Sequence, residues 1–184
     1  MAIREIVYFP DERLQQKCDP VAEVTEEIQT LVDDMVETMY DARGVGLAAP
    51  QIGVLKRITV IDARAGDEEE ESDLRIFINP EILEAEDALV WEEGCLSIPG
   101  VYEKVKRKAR VKVRALDREG EPFEVEAEGL LAVALQHEID HLDGVLFLDH
   151  LSLLKRRMAL KKYKKVLQRM EEEDEDGEEG EERP

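Results

Sequence analysis

Two histidines and a glutamate stand close together in the run QHEIDH at residues 136–141. On a helix, residues four apart lie on one face, so His137 and His141 can direct their imidazoles at a single metal ion. Glu138 would then lie beside a bound water, where a carboxylate can act as a general base. Such residues can also be ordinary core or surface groups, but this spacing on an apolar helix favours a metal site.

The element that must carry this motif is a helix over residues 129–142. Leu130, Val133 and Ala134 precede the histidines at three- and four-residue steps and form one apolar face. Because His137 continues the same face, the sequence predicts that the core side of the helix leads directly to the metal.

A third ligand decides what kind of site this is, since three protein ligands and a water make a catalytic site whereas four close it. Peptidases with the longer pattern H-E-x-x-H-x-x-G-x-x-H are excluded, because Phe147 stands where the last histidine belongs. Peptidases that take a glutamate from a later helix are disfavoured, because after His141 glutamates occur only in the acidic last residues. His150 stays a candidate, although it lies beyond the expected end of the helix.

Cys95, in the run WEEGCLSIPG, is the favoured third ligand. It follows a predicted strand and stands after Gly94, which lets the backbone approach another group closely. A lone cysteine is more often a small buried hydrophobe, but beside an incomplete histidine pair it becomes a ligand candidate. Cys18 has no such neighbours and is expected to be structural. A closed zinc site would need Cys18 or His150 as its fourth ligand.

Length and composition predict one globular domain. Of 184 residues, 43% are hydrophobic, and no run is long enough to cross a bilayer. The first residues show no apolar signal segment, so the protein is expected to stay in the cytoplasm. Two cysteines are too few for a disulfide framework.

The remaining elements predict an α+β fold. Residues 25–41 have a helical apolar face with Thr25 as the N-cap, and residues 66–73 should be an exposed acidic loop. Predicted strands, rich in β-branched residues, are 57–62, 74–80, 88–93, 109–117 and 122–129. Since they do not alternate regularly with helices, we expect small antiparallel or mixed sheets around a central metal-binding helix, followed by a C-terminal amphipathic helix.

The net charge of −20 is unevenly spread, and the last residues form a basic block followed by an acidic one. Residues 151–170 contain eight Lys and Arg and no acid, and residues 153–170 should form an amphipathic helix. Its apolar seam is expected at Leu153, Leu160, Tyr163, Leu167 and Met170. Residues 171–184 have ten acids and no apolar side chain, so a disordered tail is expected after a single catalytic domain of residues 1–170.

The chain resembles the bacterial peptide deformylases in three motifs. GVGLAAPQ at residues 44–51, EGCLS at 93–97 and QHEIDH at 136–141 match the family's motifs in type and order, with comparable separations. The resemblance extends from about Ile3 to the end of the basic helix and leaves the acidic tail outside. Residues 100–102 fall where family members vary.

The resemblance implies a hydrolase that removes the formyl group from the N-terminal formylmethionine of new proteins, releasing formate. Cys95, His137 and His141 would hold one divalent transition metal, most often Fe²⁺, which Zn²⁺, Ni²⁺ or Co²⁺ can replace. The catalytic groups would be the Glu138 carboxylate as general base, with the Gln51 amide and the Leu96 backbone N–H as oxyanion donors. Substrate-binding positions are expected at Val45, Gly46, Gly94, Leu130, Val133 and Ala134.

The resemblance also suggests a ribosomal partner, since the substrate of a deformylase emerges from the ribosome and in some members a C-terminal helix docks beside the exit tunnel. A cationic helix without acids is suited to phosphate backbones. The acidic tail could fold back and screen it. A membrane surface is the alternative, but no membrane partner is expected because the core needs the helix's apolar seam.

Overall fold

The computed structural model describes residues 2–181, with side chains described as far as residue 177. Its helices and strands, in chain order, are α1 (Glu26–Asp41), β1 (Gly46–Ala48), β2 (Ile58–Asp62), β3 (Leu74–Cys95), β4 (Ile98–Leu116), β5 (Pro122–Glu128), α2 (Gly129–Leu142) and α3 (Leu153–Glu181). Short 3₁₀ turns lie at Glu12–Gln15, Ala49–Ile52 and Phe147–His150. The predicted α+β class is confirmed.

The five strands form one antiparallel sheet in the order β1-β2-β3-β4-β5. The expected strands 74–80 and 88–93 are two parts of β3, which continues through a charged middle that resembles a loop in sequence. There Glu84 pairs in register with Lys112 and Glu86 with Arg110 on β4. Opposite charges on facing strands favour pairing, so the charged middle stays in the sheet.

Helix α1 packs its apolar face against β1 and β2. Thr25 caps it, because its hydroxyl accepts a hydrogen bond of 3.3 Å from the Ile28 N–H. Val32, Met35 and Met39 are fully buried in the core beneath. The predicted helix is confirmed, and its apolar stripe is packing.

Helix α2 has the predicted bounds and is buried along most of its length. It contacts β1, β2, β4 and β5, and Leu135 and Ile139 pack with Phe77 and Val113 in one core cluster. The helix also contacts β3 and the 3₁₀ turn after β1, so residues of both approach α2. This geometry brings the three sequence motifs together.

Helix α3 packs on β4 through part of the expected seam. Ala159 and Tyr163 are buried, and the Tyr163 hydroxyl donates a 2.6 Å hydrogen bond to the Phe9 carbonyl. Leu153 is not part of the seam, since it is 77% exposed; with Leu154 and Met158 it leaves apolar surface uncovered at the start of the helix.

The helix also continues to Glu181, where a disordered tail was expected from residue 171. Glutamate is a good helix former, and extending an existing helix requires no new nucleation. Residues 171–181 therefore lead away from the basic turns instead of folding back on them. Residues 182–184 of the expected tail lie outside the described residues. Across residues 2–181, none of the helices combines the length and apolar character that crossing a bilayer requires.

Candidate metal centre and substrate cleft

Three possible metal ligands meet where β3 ends against α2. The Cys95 Sγ lies 3.4 Å from the His141 Nε2, which lies 3.2 Å from the His137 Nε2. All three donor atoms fall within 4.8 Å of one another. The group includes neither Cys18, which is buried elsewhere, nor His150, so it has the three protein ligands of an open site.

The spacing of these atoms fits a tetrahedral transition metal ion. With metal–sulfur and metal–nitrogen bonds of about 2.3 and 2.05 Å, tetrahedral geometry separates two nitrogens by about 3.3 Å and sulfur from nitrogen by about 3.6 Å. The observed separations of 3.2 and 3.4 Å are close to these values. One thiol and two imidazoles turned toward one point therefore suit a divalent ion of the Fe²⁺ to Zn²⁺ series.

A buried ion network holds His137 in this orientation. The His137 Nδ1–H donates to the Glu93 Oε1 at 2.9 Å, which leaves Nε2 free to face the ligand group. Arg107 on β4 clamps both Glu93 oxygens at 2.7 and 2.8 Å and donates to Asp140 at 2.6 Å. His150 bonds to Asp140 at 2.8 Å, at the outer end of the network. Its role is thus in this network and not in the ligand group.

The network also sets the charge states around the ligands. Burial would raise the pKa of Glu93, but hydrogen bonds from Arg107 and His137 outweigh it and lower that pKa to about 2. Burial lowers the pKa of His137, but hydrogen bonds to Cys95 and Glu93 outweigh burial and raise that pKa well above its ordinary value. Burial and the charge of His137 lower the pKa of His141.

Glu138 lies beside the ligands as an isolated buried carboxyl group. It is 4% exposed, and its Oε2 has no hydrogen-bond partner among the described residues. Burial raises its pKa to about 7. A Cβ at Gly46 would lie 2.7 Å from the Glu138 Oε1, so the first motif needs a glycine where it passes this carboxyl. A carboxyl group with a near-neutral pKa is suited to accepting and releasing a proton.

Gln51 is fixed beside the same group by neighbours on both ends of its amide. Its Oε1 accepts from the Ala48 N–H at 2.9 Å, and its Nε2 donates to the Ser97 hydroxyl at 3.1 Å. The Nε2 also lies 3.6 Å from the Cys95 Sγ. The amide N–H groups therefore face the ligands, while Leu96 stands between Cys95 and Ser97 in the cleft wall.

A cleft of about 570 Å³ leads to these groups. Of the residues singled out from the sequence, all but His141 line it: Val45, Gly46, Gln51, Gly94, Cys95, Leu96, Leu130, Val133, Ala134, His137 and Glu138. Gly94 is needed there because a Cβ would lie 2.6 Å from the Tyr102 ring. The cleft is thus apolar along one side of α2 and polar at its inner end.

Several residues of this region were missed by sequence analysis. Tyr8, Arg43, Trp91 and Tyr102 line the outer cleft, and Arg107 lies beneath the ligands. None belongs to a motif that specifies a role. The alternation of β4 was a signal for Arg107, which shares the core-facing positions of the strand with Val105 and Val111 while Lys106 and Lys108 are exposed.

An open three-ligand group with a buried, unpartnered carboxyl at the inner end of a cleft is the arrangement of the metal-dependent hydrolases. A metal ion held by this group would supply a Lewis acid, and a buried carboxyl beside it is suited to accepting a proton from water.

Comparison with known proteins narrows this class to one family. The sequence model of the polypeptide deformylases matches residues 3–157. A peptide deformylase of Alkalilimnicola ehrlichii is 55% identical over 167 residues, which are 91% of this chain and 92% of that protein. The chain therefore belongs to the polypeptide deformylase family and is an enzyme.

Solved structures agree with this assignment. The crystal structure of a peptide deformylase from Legionella pneumophila has 53% sequence identity and a TM-score of 0.86, covering 92% of this chain and 98% of that one. The enzyme from Ehrlichia chaffeensis, in complex with actinonin, has 43% identity and a TM-score of 0.84, covering 90% and 98%.

Proposed function

We propose that this enzyme removes the formyl group from the N-terminal formylmethionine of newly made proteins, releasing formate and a free amine. The observation that carries the proposal is the buried Glu138 carboxyl beside the Cys95, His137 and His141 group, at the inner end of an apolar cleft. The deformylase name of the relatives supports the same chemistry.

The proposed roles follow from the contacts of each side chain. A divalent ion held by Cys95, His137 and His141 would supply Lewis acidity and lower the pKa of a water. Glu138 accepts a proton from the attacking water and delivers it to the departing amine nitrogen as the carbon–nitrogen bond breaks. Water and the formamide are thereby converted to formate and the amine.

Gln51 stabilises the charge that develops on the formyl oxygen. Its Nε2 donates one N–H to Ser97 and directs the other toward the Cys95 Sγ, 3.6 Å away, so this second N–H is the one proposed to donate to that oxygen. The Leu96 backbone N–H, on the adjacent cleft wall, is the second proposed donor. Preformed donors matter here because an anionic thiolate makes the metal a weaker Lewis acid.

The methionine side chain is proposed to lie along the apolar wall formed by Val45, Leu130, Val133 and Ala134. Gly46 and Gly94 allow the substrate backbone to pass close to the protein on either side. An unbranched thioether fills such an irregular apolar space well.

Release of formate from formyl-Met-Ala-Ser tests the proposal. We expect rapid formate release and no cleavage of the unformylated peptide at internal bonds. Cleavage of the unformylated peptide without formate release would indicate a metallopeptidase instead.

The resident metal is proposed to be Fe²⁺, on the family resemblance, since the donor set itself suits several ions. Protein purified without oxygen should contain iron and lose activity in air as iron and the Cys95 thiolate oxidise. Loading with Ni²⁺ or Co²⁺ should restore activity, and Co²⁺ should give the visible absorption of a cobalt–thiolate bond. Activity that requires zinc and persists in air would contradict iron.

The basic turns of α3 are proposed to bind the ribosome near the exit of the nascent chain, which places the enzyme in the cytoplasm. Lys161, Lys162, Lys164 and Lys165 are exposed, and the uncovered Leu153, Leu154 and Met158 precede them on the same helix. Cationic and apolar side chains side by side suit a surface made of RNA and protein.

Ribosome binding should fall steeply with salt and should fall when the four lysines are changed to glutamate, while turnover of a short formyl peptide stays the same. Removing residues after Met170 should strengthen binding, because it removes acids that repel RNA. Binding that is indifferent to the lysine changes would make the helix structural only, and weaker binding of the shortened chain would contradict the repulsion.

A further inference from the structure

Arg43 has a backbone conformation that normally favours glycine. Its φ is 56°, in the left-handed region, directly after the last turn of α1. The turn is closed by hydrogen bonds from the Arg43 N–H to the Tyr40 carbonyl at 3.0 Å and from the Gly44 N–H to the Met39 carbonyl at 2.9 Å. Helices commonly end this way, with glycine in the left-handed position because a side chain there is strained. An arginine at this position has a cost that its side chain must offset.

The guanidinium of Arg43 is also unusual in having no ion-pair partner. In this acidic chain each of the nine other arginines before α3 lies within 4.0 Å of a carboxylate. Among the described side chains none does so for Arg43. Arg43 is exposed and lines the substrate cleft next to Gly44 and Val45. A strained cation without a partner, in the wall of a binding cleft, is a group whose partner arrives with the ligand.

We propose that Arg43 is a specificity-determining residue that binds an acidic side chain of the substrate, downstream of the formylmethionine. This inference rests on the proposed deformylase function. A guanidinium presents paired N–H donors that match a carboxylate, and the length of arginine lets it reach over the rim of the cleft. Arg43 lines the same cleft as Glu138 and directly precedes the motif whose Gly46 passes that carboxyl.

One carboxylate in the same cleft opposes this preference. Glu92 is exposed, lines the cleft and pairs in register with Lys104 on β4. An acidic substrate residue therefore meets attraction from Arg43 and weaker repulsion from Glu92. Removing the charge of Glu92 should increase the preference for acidic substrates.

The test compares peptides of the form formyl-Met-Ala-Ala-Ser with Glu, Gln or Lys at the second, third or fourth position. All are C-terminal amides, so that no terminal carboxylate substitutes for the side chain. The measured quantity is the ratio of kcat/KM for the Glu peptide to that for the Gln peptide. We expect a ratio of about two to five at one position or more at low salt, as for a partly exposed ion pair, with a decrease at high salt.

Substitutions at Arg43 and at nearby residues test whether Arg43 causes the preference for acidic substrates. Arg43→Gln and Arg43→Gly should bring the ratio to one or slightly below, because Glu92 still repels an acidic residue, and Arg43→Glu should favour the Lys peptide. Glycine suits the backbone, so Arg43→Gly should also melt at a higher temperature than the wild type. Glu92→Gln should raise the ratio. Arg64→Gln is the matched control, because Arg64 pairs with Glu70 away from the cleft, and its ratio should equal that of the wild type.

A wild-type ratio of one at all three positions, or a preference that survives in Arg43→Gln and Arg43→Gly, would overturn the inference. If no formyl peptide releases formate, the proposed deformylase function is contradicted, and the inference about Arg43 fails with it.

Discussion

Helices α2 and α3 place charged side chains in opposite surroundings. On α2, His137, Glu138 and His141 are buried, and their neighbours Glu93 and Arg107 are almost fully enclosed. On α3, cations and acids follow one another in exposed turns, and only a narrow seam contacts the sheet. Because the charges on α2 are buried, the loss of a hydrogen-bond or ion-pair partner there is costly. The charges of α3 are screened by solvent, so their partners matter less. Single substitutions should therefore have large effects around α2 and small ones on α3.

The largest effect is expected from loss of a ligand. His141→Ala should lose bound metal and activity together, because two remaining ligands no longer form the three-ligand group. The fall in metal affinity should exceed the roughly 10- to 100-fold that loss of an outer partner costs. Metal analysis after gel filtration measures it.

Cys18→Ala and His150→Ala serve as controls for this experiment, since neither residue belongs to the ligand group. Both should retain the metal. Loss of metal from Cys18→Ala would indicate a fourth ligand, and so would a fall in metal affinity for His150→Ala as large as that for His141→Ala.

Breaking the ion network should have the next largest effect. Arg107→Met leaves Glu93 and Asp140 without their guanidinium, and removing one partner of a buried ion pair typically costs about 3–5 kcal/mol in the free energy of unfolding. The matched control is Arg110→Met, since the pairs of Arg110 with Glu86 and Asp87 are exposed and screened by solvent and should contribute far less. Urea unfolding of both variants checks the difference, and equal losses would remove the contrast between buried and exposed charge.

The same network predicts how stability depends on pH. The pKa of Glu93 is lowered from 4.5 to about 2, so the stability that its carboxylate contributes is present above about pH 5 and is lost as pH falls toward 2. Glu93→Gln should lack this part of the acid dependence. Glu126→Gln, on the exposed face of β5, should follow the wild type. Urea unfolding at steps from pH 6 to pH 2.5 compares the curves, and parallel curves for wild type and Glu93→Gln would contradict the assignment.

The smallest effects are expected on α3. Tyr163→Phe removes the hydrogen bond to the Phe9 carbonyl and should cost about 0.5–1.5 kcal/mol. Lys164→Gln, on the next residue, should change stability by less than about 0.5 kcal/mol because its side chain is exposed. Thermal unfolding of the two variants measures the difference, and a larger loss for Lys164→Gln would show that the exposed charges of α3 are not screened.

The contrast between α2 and α3 also explains which features could be predicted from the sequence. The bounds of α2 were predicted correctly because its apolar spacing, its histidines and its burial all depend on neighbours within two turns. The convergence of Cys95 with the histidines was also predicted, since three motifs limited the possible ligands. Arg107 was not identified, because its burial depends on Glu93 and Asp140, which are distant in sequence.

The predictions that differ from the structure concern segments rich in charged residues. The middle of β3 lies outside the predicted strands; it is acidic, and Lys112 and Arg110, which pair with Glu84 and Glu86, are 28 and 24 residues away. On α3, Leu153 was assigned to the seam and residues 171–181 to a disordered tail. Both depend on where the helix meets the sheet and how far it continues, which the periodicity of a charged sequence does not determine.

The central claim is that Glu138 moves the proton for a metal-dependent hydrolysis at the inner end of the cleft. Glu138→Gln keeps the size of the side chain and removes its ability to accept a proton, so it tests this role with least disturbance. Formate release and bound metal should be measured in the same samples of wild type and variant. We predict that metal content stays equal while kcat falls by about 10²- to 10⁴-fold. Full activity of the metal-loaded variant would contradict the claim.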